Sequence, residues 1–450
     1  MSLMMGVSGV RGIIGESMTV HLATELGCAF GTSIRGGLVV VGRDSRPSGR
    51  MIQQAYVAGL LSTGCPVVEL GVVSTPGTAL IVRRRRAAGG TVITASHNPV
   101  EWNGIKFLTP EGLAPPLAQA EALYERWRER DFVAVPVQDL QDVIVDETTH
   151  EQHVQAVLDV TDVRRLADRS FRVVLDSVNG AGGAGGRVLL ERLGCEVVHI
   201  NAEPTGRFAH PPEPLAENLT QLGQVVREAK AAVGFAQDPD ADRLAIVDER
   251  GRYIGEEYTL ALAARHVFAT RPGPAATNLS TSRMIDDLAA AAGAPCCVHR
   301  CPVGEANVVQ TMNAHECVIG GEGNGGVIDP RVVPVRDSFA SMALVLELLA
   351  STEMPLSAIV DALPRYTIVK EKLEADRDRI DRALAAVEEH FADERLNRAD
   401  GVRIDWDEGW VHIRPSNTEP ILRIIAEGCD DDVARSLIAR VRTVADPLLT

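Results

Sequence analysis

The sequence lacks the long apolar run that a membrane-spanning helix requires. No stretch of the 450 residues approaches the roughly 20 consecutive apolar residues of such a helix. The N-terminus also lacks a signal-peptide pattern, which would join a basic segment to a short apolar core and a cleavage site of small residues. We therefore expect a protein that does not use membranes as a partner, and we expect it in the cytoplasm.

Positive charge is scarce relative to negative charge. The chain has 45 Lys and Arg residues against 61 Asp and Glu residues, which gives a formal net charge of −16 at pH 7. A surface with this balance repels the phosphate backbone of nucleic acids and the headgroups of anionic membranes. We expect no nucleic-acid partner. A small anionic ligand needs only local positive charge and stays compatible with the sequence.

Cysteine does not occur in metal-binding or disulfide patterns. The eight cysteines are scattered and include no Cys-x-x-Cys pair. The one cluster, Cys296, Cys297 and Cys301, lacks the spacing and the histidine partners of zinc sites. Disulfides are not expected in a cytoplasmic chain. We therefore interpret this cluster as buried or half-buried thiols.

Short apolar runs alternate with helical patterns over most of the chain. Runs such as residues 38–41 and 171–175 are followed by helical segments of roughly 10 to 15 residues, and this rhythm occurs in three successive regions. Residues 366–450 differ, because three strands lie there between two helices. We predict an α/β fold with three related α/β domains, residues 1–150, 151–255 and 256–365, and a C-terminal α+β domain, residues 366–450.

Ser96 and His97 lie at a predicted junction between a strand and a loop. Residues 90–93 form a short apolar run. Asn98-Pro99 ends this run, because proline fixes φ and has no backbone N–H. Reactive groups of α/β proteins often occupy such junctions. The motif SHNP alone favours a Ser-rich turn that caps the next element, so other parts of the chain must decide.

Three aspartates alternate along a tight loop between two apolar runs. In the motif DPDADR, the carboxylates of Asp238, Asp240 and Asp242 can converge on one hard cation such as Mg²⁺. The loop is not an EF-hand, because the glycine and the distant glutamate of that motif are missing. A hydrophilic hairpin turn is the alternative, but it leaves three like charges close together. The spacing therefore predicts a Mg²⁺ site.

Two further loops have the composition of ligand-binding segments. The motif RPSNTEP, residues 414–420, offers an arginine, two hydroxyls and an amide beside turn N–H groups. This set suits a phosphate, although a polar β-turn is the alternative. The motif GEGNGG, residues 321–326, is rich enough in glycine for a ligand to approach the backbone. Glu322 could then accept hydrogen bonds from sugar hydroxyls.

Other glycine-bounded segments have weaker functional signals. Arginines in GVRG, residues 9–12, and in GRDSRPSG, residues 42–49, lie on turns that suit either anion binding or solvation. The motif GAGGAG, residues 180–185, fits the dinucleotide fingerprint G-x-G-x-x-G. Its glycines do not directly follow the predicted strand, which ends near Asp176. We therefore favour a tight connection between strand and helix over a nicotinamide site.

The four loops together are more specific than any one of them. SHNP with a following NGIK, then DPDADR, GEGNGG and RPSNTEP, occur in this order, one in each predicted domain. In this combination the sequence resembles the α-D-phosphohexomutase superfamily over essentially its whole length. The resemblance implies mixed sheets and four domains around a central cleft. It also implies an isomerase that interconverts hexose 6-phosphate and hexose 1-phosphate through a phosphoserine and a bisphosphate intermediate.

The resemblance also implies a role for each matching residue. Ser96 is expected to be the phosphoserine, and Lys106 is preferred over His97 as the general acid/base. The expected catalytic residues are Arg11, Ser96, His97, Lys106 and Arg243. The expected Mg²⁺ ligands are Ser96, Asp238, Asp240 and Asp242. The expected substrate-binding residues are Glu322, Asn324, Arg414, Ser416, Asn417 and Thr418.

The choice of sugar depends on two departures from the family pattern. Gly326 stands where many relatives have histidine, and VGEAN, residues 303–307, stands where others have a G-H-S turn. The strings NLSTSRMIDDLA and GGEGNGGVI are most similar to the archaeal-type phosphoglucosamine mutases. We therefore expect glucosamine phosphate as the substrate, with phosphomannomutase/phosphoglucomutase activity as the alternative. A non-catalytic protein that binds a sugar phosphate or a dinucleotide is a remote alternative.

The resemblance implies few other partners. We expect a small phosphosugar substrate, Mg²⁺ as the cofactor and a hexose bisphosphate as the activator. The chain is expected to be a monomer or a homodimer.

Overall fold

A computed structural model describes residues 3–416 and 421–449, so Asn417 and Thr418, two of the predicted substrate-binding residues, lie outside the described residues. The chain forms two compact units. The first unit comprises Met1–His266 and Asn324–Asp361, and the second comprises Val267–Gly323 and Ala362–Thr450. The four predicted domains stay a prediction. No helix within the described residues is long and apolar enough to cross a membrane.

Strands and helices alternate through most of the described residues. The strands are β1 (Met4–Gly6), β2 (Gly9–Ile13), β3 (Val39–Arg43), β4 (Val67–Val72), β5 (Gly89–Ile93), β6 (Trp102–Leu108), β7 (Val143–Val145), β8 (Arg172–Asp176), β9 (Glu196–Ile200), β10 (Val233–Gln237), β11 (Leu244–Asp248), β12 (Ala275–Asn278), β13 (Val298–Cys301), β14 (Ile319–Glu322), β15 (Gly326–Ile328), β16 (Thr367–Glu374), β17 (Arg395–Asn397), β18 (Val402–Asp405), β19 (Gly409–Pro415) and β20 (Ile421–Gly428). The helices are α1 (Val20–Ser33), α2 (Gly49–Ser62), α3 (Thr75–Arg84), α4 (Leu117–Glu129), α5 (Thr149–Leu158), α6 (Val163–Arg169), α7 (Gly183–Arg192), α8 (Thr220–Ala229), α9 (Glu257–Thr270), α10 (Met284–Ala292), α11 (Glu305–Ala314), α12 (Ser338–Thr352), α13 (Leu356–Asp361), α14 (Arg377–His390) and α15 (Asp431–Leu449). Two short 3-10 helices span Val137–Asp139 and Ala216–Asn218.

A seven-stranded mixed sheet in the first unit positions the Ser96 loop. Its strand order is β1-β2-β6-β5-β3-β4-β7. β5 is buried along its whole length and runs parallel to β3, as expected for a strand covered on both faces. The chain then turns back into β6, antiparallel to β5. Ser96 lies in the connection between them, at the carboxyl end of β5.

Residues 133–145 are polar and loosely patterned, and this pattern predicts an exit from the first domain. The segment nevertheless contains a strand of this sheet. β7 pairs in parallel with β4 at the sheet edge. All three of its residues are exposed. An exposed edge strand needs no alternating burial pattern, so its sequence resembles a linker.

A second sheet of the first unit carries the aspartate loop. Its order is β11-β10-β8-β9, and β10 and β11 form the antiparallel hairpin that the loop 238–243 closes. The glycine-rich run 180–185 leads into α7 and packs against this loop. The backbone N of Ala181 donates to the carbonyl O of Pro239 at 2.8 Å. A Cβ on Gly182 would lie 2.6 Å from the Cβ of Ala241. These glycines therefore allow close packing of the aspartate loop.

The second unit contains two sheets of different type. β12 lies between β13 and β14 and is parallel to both. A five-stranded sheet of order β16-β20-β19-β18-β17 packs with α14 and α15 around one core. The sequence predicts only three of these five strands, because β16 alternates charged residues and β17 is short. The predicted α/β fold class with an α+β C-terminal region is confirmed.

The cysteine cluster does not converge. Cys296 and Cys301 are buried, whereas Cys297 is exposed, and all eight cysteines are free thiols. Cys297 is therefore an exception to the interpretation of this cluster as buried or half-buried thiols.

Candidate active site

Ser96 adopts a backbone conformation that is uncommon for a serine. Its φ is +50°, a left-handed conformation that is strained for residues other than glycine and that often occurs at functional sites. Its side chain is buried. The Oγ atom lies 3.3 Å from Oδ2 of Asp238 and 3.4 Å from Nδ1 of His97. The serine hydroxyl is thus placed directly beside the aspartate loop.

Arg46 holds the Ser96 loop in this conformation. Its guanidinium is fully buried and pairs with Asp44 at 3.0 Å. It also donates at 2.6–3.1 Å to the carbonyl oxygens of four residues of the loop, which are Ser96, Asn98, Pro99 and Trp102. Arg46 is therefore neither an anion ligand nor a solvated side chain. Both interpretations that the sequence allowed for this arginine of the turn 42–49 are wrong.

The three aspartates of the second loop converge. One carboxylate oxygen from each of Asp238, Asp240 and Asp242 lies within 4.8 Å of the other two, and all three side chains are buried. Three buried carboxylates repel one another, so the arrangement requires compensating positive charge. Within residues 3–416 and 421–449, this is the one group of three or more acidic, His or Cys side chains that could hold a metal ion.

The free oxygens of the aspartates fit a cation. Oδ2 of Asp240 accepts from Lys106 Nζ at 2.6 Å and from Thr75 Oγ1 at 2.6 Å. Oδ2 of Asp242 accepts from Arg336 at 2.7 Å. The two Oδ1 atoms of Asp240 and Asp242 are buried without a hydrogen-bond partner among the described residues. Such unsatisfied carboxylate oxygens are expected where a divalent cation binds.

Neighbouring charges shift the pKa values of Asp238 and Asp242 in opposite directions. Burial and the negative charges of Asp242 and Asp240 raise the pKa of Asp238 well above its ordinary value. Burial also acts to raise the pKa of Asp242, but the positive charges of Arg336, Lys106 and Arg243 outweigh it and lower this pKa. Asp242 is therefore held in its ionised form, whereas Asp238 is the carboxylate that a bound cation would stabilise most.

Four cations surround the three aspartates. Arg11, Lys106, Arg243 and Arg336 all contribute to the electrostatics of this group. Burial, with the positive charges of Arg243 and Arg11, lowers the pKa of His97 to about 3, so its ring is neutral near pH 7. Burial lowers the pKa of Lys106, but Asp240 and Asp242 raise it above its ordinary value overall. The site therefore carries more positive than negative charge.

The residues of the predicted sugar and phosphate loops are divided between the two units. Asn324 lies in the first unit, where its Oδ1 accepts from the backbone N of Gly326 at 3.2 Å. In the second unit, Oε1 of Glu322 accepts from Asn278 Nδ2 at 2.8 Å. Arg414 is buried there, and its Nε donates to Asp400 at 2.9 Å. Ser416 pairs through its backbone N with the carbonyl O of Ile421 at 2.9 Å.

Four family models match successive parts of this chain. "Phosphoglucomutase/phosphomannomutase, alpha/beta/alpha domain I", the corresponding domain II and the corresponding domain III match residues 2–134, 151–251 and 256–366. "Phosphoglucomutase/phosphomannomutase, C-terminal domain" matches residues 369–444. The chain belongs to the phosphoglucomutase/phosphomannomutase family. This membership confirms the predicted resemblance to the α-D-phosphohexomutases and the predicted enzyme class, a phosphohexomutase.

Similar proteins carry two kinds of name. The chain is 38% identical to "Phosphoglucomutase/phosphomannomutase" of Thermococcus kodakarensis, over 97% of each chain. It is 37% identical to "Probable phosphoglucosamine mutase" of Methanopyrus kandleri, over 96% of this chain and 95% of that one. Among solved structures, a phosphoglucomutase/phosphomannomutase family protein from Burkholderia thailandensis has a TM-score of 0.87 at 26% identity, with 99% of each chain covered.

Two members of this candidate site in a phosphoglucomutase/phosphomannomutase family chain are missing from the sequence predictions. Thr75, the first residue of α3, holds Asp240 through its side chain and donates from its backbone N to the Asp240 carbonyl O at 2.9 Å. Arg336 holds Asp242. Neither residue lies in a recognisable motif. Both reach the aspartates only because the chain fold brings distant segments to the loop.

Gly326 explains how Arg336 reaches the site. A Cβ at this position would lie 2.2 Å from Cδ of Arg336. A side chain is therefore incompatible with the observed path of the arginine. The absence of a side chain at Gly326 therefore leaves room for the Arg336 side chain to reach Asp242.

Proposed function

We propose that this chain interconverts a hexose 6-phosphate and a hexose 1-phosphate through a phosphoryl group carried by Ser96. The observation that carries the proposal is the position of Ser96 Oγ, 3.3 Å from Asp238 in the buried aspartate group. A serine hydroxyl beside three carboxylates and four cations has the surroundings that phosphoryl transfer needs, because that reaction depends on positioning and charge neutralisation.

The charge balance of the site favours a phosphoryl group. Four positive charges surround the aspartates, those of Arg11, Lys106, Arg243 and Arg336. The three aspartates supply three negative charges. One positive charge is thus in excess before a cation binds. A dianionic phosphoryl group on Ser96 and a divalent cation on the aspartates would together leave this balance unchanged, so both are accommodated.

Mg²⁺ is the cation that we propose for the aspartate group. The donor set contains oxygen atoms only, which suits a hard cation better than zinc or copper. When bound, Mg²⁺ would neutralise charge on the transferring phosphoryl group. Ser96, Asp238, Asp240 and Asp242 would hold it, while Thr75 and Arg336 orient two of these carboxylates.

The reaction would proceed in two transfers. A free hydroxyl of the sugar monophosphate attacks the phosphorus of phosphoserine, the bond from phosphorus to Ser96 Oγ breaks, and a hexose bisphosphate results. The bisphosphate turns end for end, and Ser96 recovers the other phosphoryl group. We propose Lys106, in preference to His97, as the residue that moves the hydroxyl proton. A hexose bisphosphate would activate the enzyme by phosphorylating Ser96.

The remaining predicted residues would bind the rest of the substrate. Glu322 and Asn324 would bind sugar hydroxyls. A buried arginine is a strong phosphate ligand, so Arg414 would hold the phosphate that does not react, with Ser416, Asn417 and Thr418. The partner is a small phosphosugar, and a monomer or homodimer in the cytoplasm stays our prediction.

Glucosamine phosphate is expected to be the preferred substrate. We expect a kcat/KM for glucosamine phosphate at least about tenfold above that for mannose or glucose phosphate, because a polar substituent bound in the site discriminates strongly. A side-by-side assay of the three substrates tests this. Preference for mannose or glucose phosphate would replace the choice of sugar by the phosphomannomutase/phosphoglucomutase alternative. Turnover of none of them would remove the proposed reaction.

Gly326→Ala is expected to reduce kcat/KM by about tenfold, because its Cβ displaces the Arg336 side chain and one charge-assisted hydrogen bond to Asp242 is lost. Arg336→Ala should have a similar effect, and the double variant should be no worse than either. Gly6→Ala is a matched control, since no atom lies within 4 Å of its added Cβ. Wild-type kcat/KM in Arg336→Ala would show that Arg336 is not needed, and wild-type kcat/KM in Gly326→Ala alone would show that Gly326 is not needed for its path.

A further inference from the structure

Asp400 hydrogen-bonds to two segments of the second unit that are far apart in the sequence. Its Oδ2 accepts from Nε of Arg414 at 2.9 Å and from the backbone N of Val303 at 3.0 Å. Only 16% of its side chain is exposed, and Arg414 beside it is 8% exposed. A largely buried carboxylate shared between an arginine and a backbone N–H is fixed in position.

The segment that contains Val303 continues to the sugar loop. The backbone N of Gly304 donates to Oε1 of Glu322 at 3.2 Å. The Nδ2 atom of Asn278, at the end of β12, donates to the same oxygen at 2.8 Å. Arg414 and Glu322 are therefore linked through Asp400 and two consecutive backbone N–H groups. The turn VGEAN, which departs from the family pattern, forms the middle of this link.

His412 fixes the backbone of Asp400 from a third direction. Its Nε2 donates to the carbonyl O of Asp400 at 2.6 Å, so its Nδ1 is the acceptor for Ser280 Oγ at 2.8 Å. Burial lowers the pKa of His412 to about 4, which keeps the ring neutral near pH 7. Asp400 is thus held at its carboxylate by Arg414 and Val303 and at its carbonyl O by His412.

We propose that Asp400 is a positioning residue that sets the distance between the phosphate-binding Arg414 and the sugar-binding Glu322. This inference rests on the proposed function of those two residues. A carboxylate at Nε fixes the plane of the guanidinium, so that its terminal nitrogens meet the phosphate in one orientation. The negative charge of Asp400 by itself would weaken phosphate binding. Its presence beside Arg414 therefore requires a geometric benefit.

The test compares Asp400→Ala with Asp400→Asn. Asp400→Ala should reduce kcat/KM by about 10- to 100-fold, because Arg414 loses a charge-assisted hydrogen bond and the link is broken. Asp400→Asn should stay within about threefold of wild type, since an amide oxygen can accept both hydrogen bonds. A carboxylate that acts only through its charge would give the opposite result: KM would fall in both variants and kcat would not change.

A double-mutant cycle separates action through Arg414 from a general structural effect. Asp400→Ala added to Arg414→Ala should reduce kcat/KM by less than about threefold further, because the residue it positions is already gone. Bisphosphate released per turnover should rise in both single variants. Additive losses, or a wild-type Asp400→Ala, would overturn the inference.

The controls distinguish this inference from the proposed function. Asp431→Ala removes an exposed partner of Arg435 and should leave kcat/KM unchanged. The Ser96 site should still accept a phosphoryl group from saturating hexose bisphosphate in every variant. If wild type itself neither turns over nor is phosphorylated, the proposed function fails. If wild type does both and Asp400→Ala matches it, only the inference about Asp400 fails.

Discussion

Ser96→Ala is expected to reduce turnover of every hexose phosphate to near background, a loss on the order of 10⁴-fold or more. The variant removes the oxygen that would carry the phosphoryl group. That oxygen lies beside Asp238 and His97 in a buried loop. The Thr75 hydroxyl also contacts the aspartate group, but it donates to Asp240 Oδ2 at 2.6 Å and is expected to stay committed to that carboxylate. Added hexose bisphosphate should therefore not restore activity.

Mass spectrometry measures the same step without turnover. Wild-type protein treated with a hexose bisphosphate should gain one phosphoryl group, and peptide mapping should place it on Ser96. Ser96→Ala should gain none. Ser33→Ala is a suitable control, because Ser33 ends α1 and its hydroxyl donates to the carbonyl O of Phe30 within the same helix. Normal turnover by Ser96→Ala would exclude the phosphoserine mechanism.

The sequence predicts those parts of the site whose residues are neighbours in the chain. Asp238, Asp240 and Asp242 share one tight loop, so their convergence follows from local spacing alone. Ser96 follows an apolar run and precedes Asn98-Pro99, which locates it at a strand end. In both places the chemistry and the local structure are encoded within a few residues. The order of the four loops along the chain then gives the resemblance to the family, and the resemblance implies their roles.

The parts that sequence does not predict depend on side-chain paths across the fold. Arg46 reaches across from the turn after β3 to carbonyls of the Ser96 loop, and no pattern distinguishes it from a solvated arginine. Arg336 reaches Asp242 only because Gly326 leaves room. Asp400 has its partners on β19 and before α11. Such contacts become visible only when the packing is known.

The fold shows the same division. Buried strands such as β5 and β10 are predicted correctly, because continuous apolar runs encode them. The missed strands β1, β2, β7, β15, β16 and β17 are short, charged or exposed. β6 is buried but is also missed, because Asn103-Gly104 and Lys106 interrupt its apolar run. An edge strand is stabilised by backbone pairing to one neighbour, and that pairing leaves little trace in the side-chain pattern.

Asp240→Asn is expected to weaken Mg²⁺ binding by about 10- to 100-fold and to reduce kcat by about 10²-fold or more. The substitution removes one of three anionic ligands and replaces the carboxylate that holds Lys106 and Thr75. The Mg²⁺ concentration that gives half-maximal activity should rise. Mn²⁺ binding, followed by electron paramagnetic resonance, should weaken in parallel, which reports on the site without turnover.

A buried aspartate of the same hairpin provides the control for this prediction. Asp248 ends β11, and its carboxylate holds Arg252 at 2.8 Å instead of facing the aspartate loop. Asp248→Asn should therefore leave the Mg²⁺ dependence unchanged even if it lowers stability. Full activity of wild type or Asp240→Asn in excess chelator would remove the metal from the mechanism. The three buried carboxylates would then be neutralised by the four cations Arg11, Lys106, Arg243 and Arg336. The unsatisfied oxygens of Asp240 and Asp242 would need another partner.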